Sequence, residues 1–441
     1  MDILGHQTIL LKSIVFDCIY YLEISIMKEN LCVNNILLCI CAMILFSCAA
    51  EKASYSCNTK VYAVNFDTIK MKHDFCYSNL FDSVTIIRLD NAQVMIGSID
   101  KMDLYKDKLI ILDERMAKGV FVFDKRGNFI RKIGSVGFGP EEYAACTDFA
   151  VDSQNSIIYI YDWVGKKIYL YNIDTGNYLR TIRLENGTEI HRIWCNSGML
   201  YAVNTFFNSW NADDKNYILR QLDVDSGREI AQWMDVEQYN KGWRDMFSYS
   251  SLFYHIKEGK DLFAFGLSDT VMCINNGEIT PYMAFGGDKV IKPEDISEEE
   301  KRGMLDSKIR AEMRLRLGHK MDKITGVLSM FECDNYMYFS YTTWPLYLGV
   351  CNMGTGEVST YSSFKDDILY TPQFVHYTLP SFLTSDAGGV YYCVGTDCLP
   401  ELKHHQKEGF ISNEVINKEI LEDLNEDSNP ILLYYEYSKK Q

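Results

Sequence analysis

Residues 108–134, KLIILDERMAKGVFVFDKRGNFIRKIG, carry two unbroken apolar runs and then an alternating one. The pattern predicts a strand, a short loop, a second strand, a turn at Gly127 and a third strand. Unbroken apolar runs suit strands packed on both faces. The alternation of residues 128–133 suits a strand with one face in water. Residues 156–184, SIIYIYDWVGKKIYLYNIDTGNYLRTIRL, follow the same plan. Asp162 stands in the place of Asp113 and Gly176 in that of Gly127, both 49 residues on. The Asp-Lys-Arg-Gly-Asn and Asp-Thr-Gly-Asn runs between apolar stretches read as hairpin turns in which Gly takes the positive φ.

The plan recurs at residues 198–230, 261–285 and 335–361, with turns at Gly227, Gly277 and Gly356. The turns are spaced 51, 50 and 79 residues apart, and the widest gap holds a polar segment at 292–323. A period near 50 is that of a propeller blade. One such sheet cannot bury both faces alone, and radial stacking of blades does so. Five units are clear, and a sixth is expected from residues 388–395 and 430–439. The run SVTIIRL at 83–89 has no partners in its own unit, so it is expected to complete the last blade and close the ring. The expected fold is therefore all-β, a six-bladed β-propeller spanning residues 83–441. Two helical insertions are expected. One, near 292–323, has Pro293 and Ser297 before three glutamates, then Met304, Ile309, Met313 and Leu317 at helical spacing. The other, near 411–425, has Val415, Ile416, Ile420 and Leu424.

Ahead of the repeats, residues 36–46 form an uninterrupted apolar run of 11 that ends in Leu45-Phe46-Ser47-Cys48. That is too short for a spanning helix and suits the core of a signal peptide. The ending resembles the bacterial lipobox, which implies acylation of Cys48 and cleavage after Ser47. Lys28 supplies the positive flank, so the signal peptide reads as residues 27–47 with Met27 as the translation start. Residues 1–26, with Asp2, Asp17 and Glu23, are then an upstream extension outside the protein. Lys12, Asp17 and Glu23 count against a spanning helix at 9–26. Residues 48–82 are expected to be a lipidated tether.

The loop at Gly137 reads Gly-Phe-Gly-Pro-Glu-Glu-Tyr and is followed by Asp-Phe-Ala-Val-Asp. It resembles the loop closing the first blade in bacterial six-bladed β-propeller lipoproteins of TolB/NHL-like architecture. The match keeps Gly137, Gly139, Pro140, Glu142 and Tyr143 and departs at Glu141, where the family has Gly. The resemblance implies the fold and a place at the periplasmic or outer face of the outer membrane; it carries no activity. Read from the residues alone, the loop is structural: glycines permit a tight turn and Pro sets one φ.

The formal net charge of −16 argues against nucleic acid, whose phosphates are met by Lys and Arg. The 30 Tyr and 23 Phe favour sheet. Of the 14 Cys, nine follow Cys48, and their spacing matches no metal pattern, so buried thiols are expected. No metal site and no cofactor is expected. The alternating carboxylates of Asp223 and Asp225 read as a hairpin turn in preference to a calcium loop. His73, His191, His255, His319 and His376 are scattered and could meet only through the fold. Aromatics in long loops, Phe206, Phe207, Trp210, Trp243 and Trp344, are the candidate ligand contacts, by stacking on sugars or anchoring a partner. Two functions stay open. One is a membrane-anchored binding or scaffold propeller for a protein, peptide or glycan. The other is a polysaccharide lyase or hydrolase with its site at the central opening. Two carboxylates, or a His–carboxylate pair, facing each other in a closed pocket would favour the second.

Overall fold

A computed structural model describes residues 60–439 apart from 186–189, 205–215, 244–251, 258, 305, 307, 319, 321, 342–346 and 371–381. Among the described residues the strands form six sheets, the blades of a six-bladed β-propeller. Blade 1 comprises Lys101–Tyr105, Lys108–Asp113, Gly119–Asp124 and Phe129–Ile133, each antiparallel to the next. The innermost strands of blades 2 to 6 are Asp148–Asp152, Arg192–Asn196, Phe253–Lys257, Val327–Cys333 and Thr384–Asp386.

The unbroken apolar runs are explained by packing between blades. Leu109 and Ile111 face the core shared with blade 6, while Ile110 and Leu112 face the core shared with blade 2. Both faces of the strand are dry, so no position is left for a polar residue. The repeated aspartates also have one job. Asp113 accepts the N–H groups of Gly97, Arg115 and Met116, at 2.7, 3.1 and 2.8 Å. Asp162 does the same for Ala144 and Gly165, at 2.9 and 3.0 Å. Each ties the end of a second strand to the segment leading into its own blade.

The ring closes as expected. Phe81–Arg88 lies antiparallel to Ile431–Tyr437, with Ile86 opposite Leu433 and Val84 opposite Tyr435, all fully buried. Gly127 at the blade 1 turn has φ +88°, and a Cβ there would stand 2.0 Å from the Arg88 carbonyl oxygen. Only glycine lets this turn seat against the closing strand.

Two expectations are corrected. The segment expected to be a tether carries blade strands in its described part. Tyr62–Asn65 pairs in parallel with the outer strand of blade 4, and Lys70–Cys76 with that of blade 5. Backbone pairing to an exposed edge holds these strands, and each buries only one side chain, Val64 and Phe75, too few to set up a hydrophobic period. In the second insertion the principal helix is Leu399–Lys407, started by Pro400 and anchored by buried Leu399 and Leu402. Val415–Ile416 is instead a short strand beside Phe81–Arg88, and only Ile420–Asp423 is helical in the expected stretch. The first insertion holds two short helices, Glu298–Gly303 and Arg310–Gly318, the former opened by a capping box between Ser297 and Glu300. No helix among the described residues is long and apolar enough to cross a membrane.

Candidate functional site in the central channel

The inner strands run from the face bearing the long connections (134–147, 287–326, 395–430) to a face of short turns. Here they are called upper and lower. The channel between them is pinched where blade 4 meets blade 6: Ser385 Oγ donates to the His255 carbonyl at 3.5 Å. Trp194, His255, Thr384 and Ser385 belong to both halves and form a waist.

Above the waist is a small cavity of about 80 Å³, lined by Met102, Phe253, Tyr254, Phe331 and Phe382 together with charged Asp100, Lys101 and Arg192. Trp194 and Phe253 stack there across blades 3 and 4, with centroids 5.2 Å apart and planes 5° apart. Lys101 crosses the top. Its Nζ donates to Asp148 Oδ1 at 2.9 Å, to the Phe149 carbonyl at 2.6 Å and to the Ile193 carbonyl at 3.2 Å. One cation thus joins blade 1 to blades 2 and 3.

Below the waist lies a larger cavity of about 540 Å³, with polar and apolar side chains both in its wall. Asp261, buried in blade 4, receives Trp194 Nε1 and Asn196 Nδ2 on Oδ2, both at 2.7 Å. Its Oδ1 lies 2.8 Å from Nδ1 of His255, whose side chain is 41 % exposed. Asp103, on the inner strand of blade 1, lines the same cavity half-buried. Burial pushes its carboxyl up to about 6. The Leu104 N–H, Lys101 and His255 oppose that rise, and Asp261 adds to it. Lys106 and Lys125 on the rim are paired with Asp174 and Asp386, at 3.1 and 2.9 Å. Among the described residues no group of three or more His, Cys, Asp or Glu is placed to hold a metal ion.

The sequence pointed to other residues. Trp243 is fully buried and packs under the first insertion with Leu267, Ile296, Met304, Met313 and Leu317, so it is an anchor for helices and not a ligand contact. Phe206, Phe207, Trp210, Trp344 and Cys48 lie outside the described residues. The loop at Gly137 closes on itself. Glu142 Oε2 accepts the Gly139 N–H at 2.9 Å, Tyr143 is buried, and its hydroxyl donates to the Ile133 carbonyl at 3.1 Å. A Cβ on Gly137 would meet Glu142 Oε2 at 1.9 Å, which explains that glycine. Glu141 sits without a positive φ, so its departure from glycine strains nothing. The eight described cysteines are free thiols, and burial pushes Cys398 up to about 11 and Cys393 up to about 12. His255 was visible only as one scattered histidine. Trp194 and Asp261 are 67 residues apart and meet only across a blade interface.

Comparison with known proteins gives the same architecture. A family profile described as a domain of unknown function (DUF4934) matches residues 61–436. No curated protein matches the chain. The solved structure of a candidate exported protein of Bacteroides fragilis is similar, with a TM-score of 0.64 and 18 % identity, covering 86 % of this chain and 100 % of its own. A DUF4221 family member of Bacteroides vulgatus is similar at a TM-score of 0.46 and 9 % identity, covering 81 % of this chain and 97 % of its own.

Proposed function

The chain belongs to the DUF4934 family, and we propose that it is an exported binding propeller, held at the bacterial outer membrane by lipid on Cys48, whose ligand enters the lower cavity. One observation carries the reading: a cavity of about 540 Å³, with polar and apolar side chains both in its wall, lies at the open, short-turned end of the channel. Small-ligand pockets occupy roughly 300–1,000 Å³. A glycan or a peptide side chain suits such a wall, because exposed Ser153 and Gln154 offer a hydroxyl and an amide beside apolar side chains such as Leu104 and Ile256. The exported character suggested for the similar Bacteroides fragilis protein agrees with the lipobox-like ending at Cys48.

The test has two parts. Replacing Cys48 by Ala removes the acylation site and should move the protein from the membrane fraction to the soluble one, since stable anchoring needs more than one acyl chain. A protein that stays membrane-bound would refute the anchor. The soluble form beginning after Cys48 is then presented to a glycan array and to peptide and protein pull-downs. Capture by one class that is lost on blocking the lower cavity with Ser153→Trp is expected. Capture by none would refute the binding reading.

A further inference from the structure

We propose that the upper surface of blades 1 and 2 docks a partner protein whose contact area is apolar at its centre and acidic at its edge. The lower cavity plays no part in this contact. The two readings share only the anchor at Cys48, which sets the orientation argued below.

Of fifteen large apolar side chains exposed among the described residues, six stand on this one surface: Met95, Met116, Val136, Phe138, Trp163 and Val164. Such clustering marks a contact surface, whereas single exposed apolar residues mark nothing. Four segments carry them. Residues 95–98 lead into blade 1, and 114–118 join its second and third strands. Residues 134–147 cross from its fourth strand to blade 2, and 163–166 join the second and third strands of blade 2. The segments are tied together. Asp113 accepts N–H groups from the first two, Gly97 and Met116, and Asp162 from the last two, Ala144 and Gly165. A Cβ on Gly119 would stand 2.6 Å from the Lys132 side chain and 3.2 Å from the Tyr143 hydroxyl, so the two pairs adjoin. The legs of the Phe138 loop are clamped, with the Gly137 N–H donating to the Tyr143 carbonyl at 3.0 Å and the Tyr143 N–H to the Ser135 carbonyl at 3.1 Å. Phe138 is fully exposed at the tip of this loop. A rigid framework therefore holds apolar groups in water, and covering them costs little further ordering. Phe138 and Trp163 are the anchors, since aromatics dominate such contacts, and the two methionines adapt to the partner's shape.

The partner's chemistry follows from charge and from where the chain enters the ring. Arg115, Lys118 and Lys166 are exposed on these same loops, and none of them forms an ion pair among the described residues. Glu141 is the exposed acid there, and Glu114 is half-buried. The surface is thus locally cationic on a chain of net charge −16. Acidic groups around an apolar centre complement it. A second copy meeting it patch to patch would set the three cations against their own counterparts, which like-charge repulsion opposes. The point of entry favours a protein over the bilayer. Inner strands run downward and neighbours alternate, so the outer strand of blade 4 runs upward, and Tyr62–Asn65 lies parallel to it. The chain therefore enters at the lower end, where Lys60 Nζ donates to the Gly354 carbonyl of a blade 5 turn at 3.2 Å. Blades 4 and 5 stand opposite blades 1 and 2 in the ring. Cys48 is twelve residues before Lys60. Twelve residues reach at most roughly 43 Å, and a compact fold of this length is roughly 50 Å across. An anchor at Cys48 keeps the lower end of blades 4 and 5 near the membrane and leaves the apolar surface on the far side.

The experiment uses the full-length chain in living bacteria, with the photocrosslinker p-benzoylphenylalanine replacing Phe138, Trp163 or, at the lower end of blade 5, exposed Tyr336. One and the same protein should be crosslinked from the first two positions and not from the third, and its crosslinked peptide should carry Asp or Glu beside apolar residues. Arg115→Glu combined with Lys166→Glu should cut the yield by about tenfold or more, because it sets acid against acid. With the identified protein purified, Phe138→Ser should weaken binding by about tenfold or more, the loss that marks an anchor. All of these side chains are exposed, so the variants keep the fold. Ser153→Trp, in the lower cavity, should leave the crosslinks unchanged, so this proposal and the ligand reading fail separately. Adducts with lipid would overturn the proposal in favour of a membrane contact. Adducts confined to a second copy, equal adducts from the Tyr336 position, no adduct, or a yield indifferent to the charge reversal would each overturn it.

Discussion

The two ends of the channel use buried aspartates in opposite ways. At the upper end Asp148, with its side chain 1 % exposed, holds Lys101 Nζ and the Ile193 N–H at 2.7 Å. Its partner is a permanent cation, already shared with two backbone carbonyls, so the arrangement is a lock between three blades. At the lower end Asp261 holds an imidazole that can gain or lose a proton and that lines a cavity. The difference teaches that a buried carboxylate alone does not mark a functional site. What its partner can do, and whether the partner reaches open space, decides between architecture and chemistry.

Three substitutions probe that contrast. The largest effect is expected from Asp148→Ala. It strands the Lys101 charge, 17 % exposed, and the Ile193 N–H with no acceptor. Breaking a buried pair from one side costs about 3–5 kcal/mol, to be read as a fall in the urea midpoint. A variant as stable as the parent would show that the upper end is no lock.

Asp103→Asn should act with opposite sign and with a pH signature. The folded carboxyl is raised to about 6 from an ordinary value of 3.8. Between these values the folded state keeps a proton that the unfolded chain releases. Stability is therefore highest below the ordinary value, falls as pH rises through the window, and stays lower above it. The deficit approaches about 3 kcal/mol. Asparagine has no charge to desolvate, so the variant should gain on the parent at pH 7 and match it near pH 3, by denaturant titration at both values. A gain that did not depend on pH would remove the strained carboxyl from the comparison.

The smallest effect belongs to Asp261→Asn, about 1–3 kcal/mol in the same titration. An amide still offers one acceptor to the Trp194 and Asn196 donors, and the imidazole can shed a proton where Lys101 cannot. A loss as large as that of Asp148→Ala would make the lower pair a lock as well.

Much of this molecule was legible along the chain. The period near 50, the Asp113 and Asp162 pair, the turns at Gly127 and Gly176 and the orphan apolar run at 83–89 define blades and ring closure. They are legible because blade cores and hairpin turns are satisfied within one repeat or between successive ones, so the pattern is local. Ser297 marked a helix start for the same reason. Tyr62–Asn65 and Lys70–Cys76 were not legible as blade strands, since edge pairing is a backbone matter and each strand buries a single side chain, Val64 or Phe75. Trp243 looked like a contact because its sequence neighbours are polar, and only the first insertion folding over it made it core.

The channel was decided by tertiary structure alone. Asp103, Trp194, His255 and Asp261 come from three blades, and none lies in a motif that a repeat would copy. The sequence determined the number of blades and the order in which they close, because each blade must bury both faces against its neighbours. It could not determine which inner-strand side chains meet across the axis. That depends on the pinch between blades 4 and 6 and on the rotation of each blade about the ring, which are properties of the closed ring and of no single repeat.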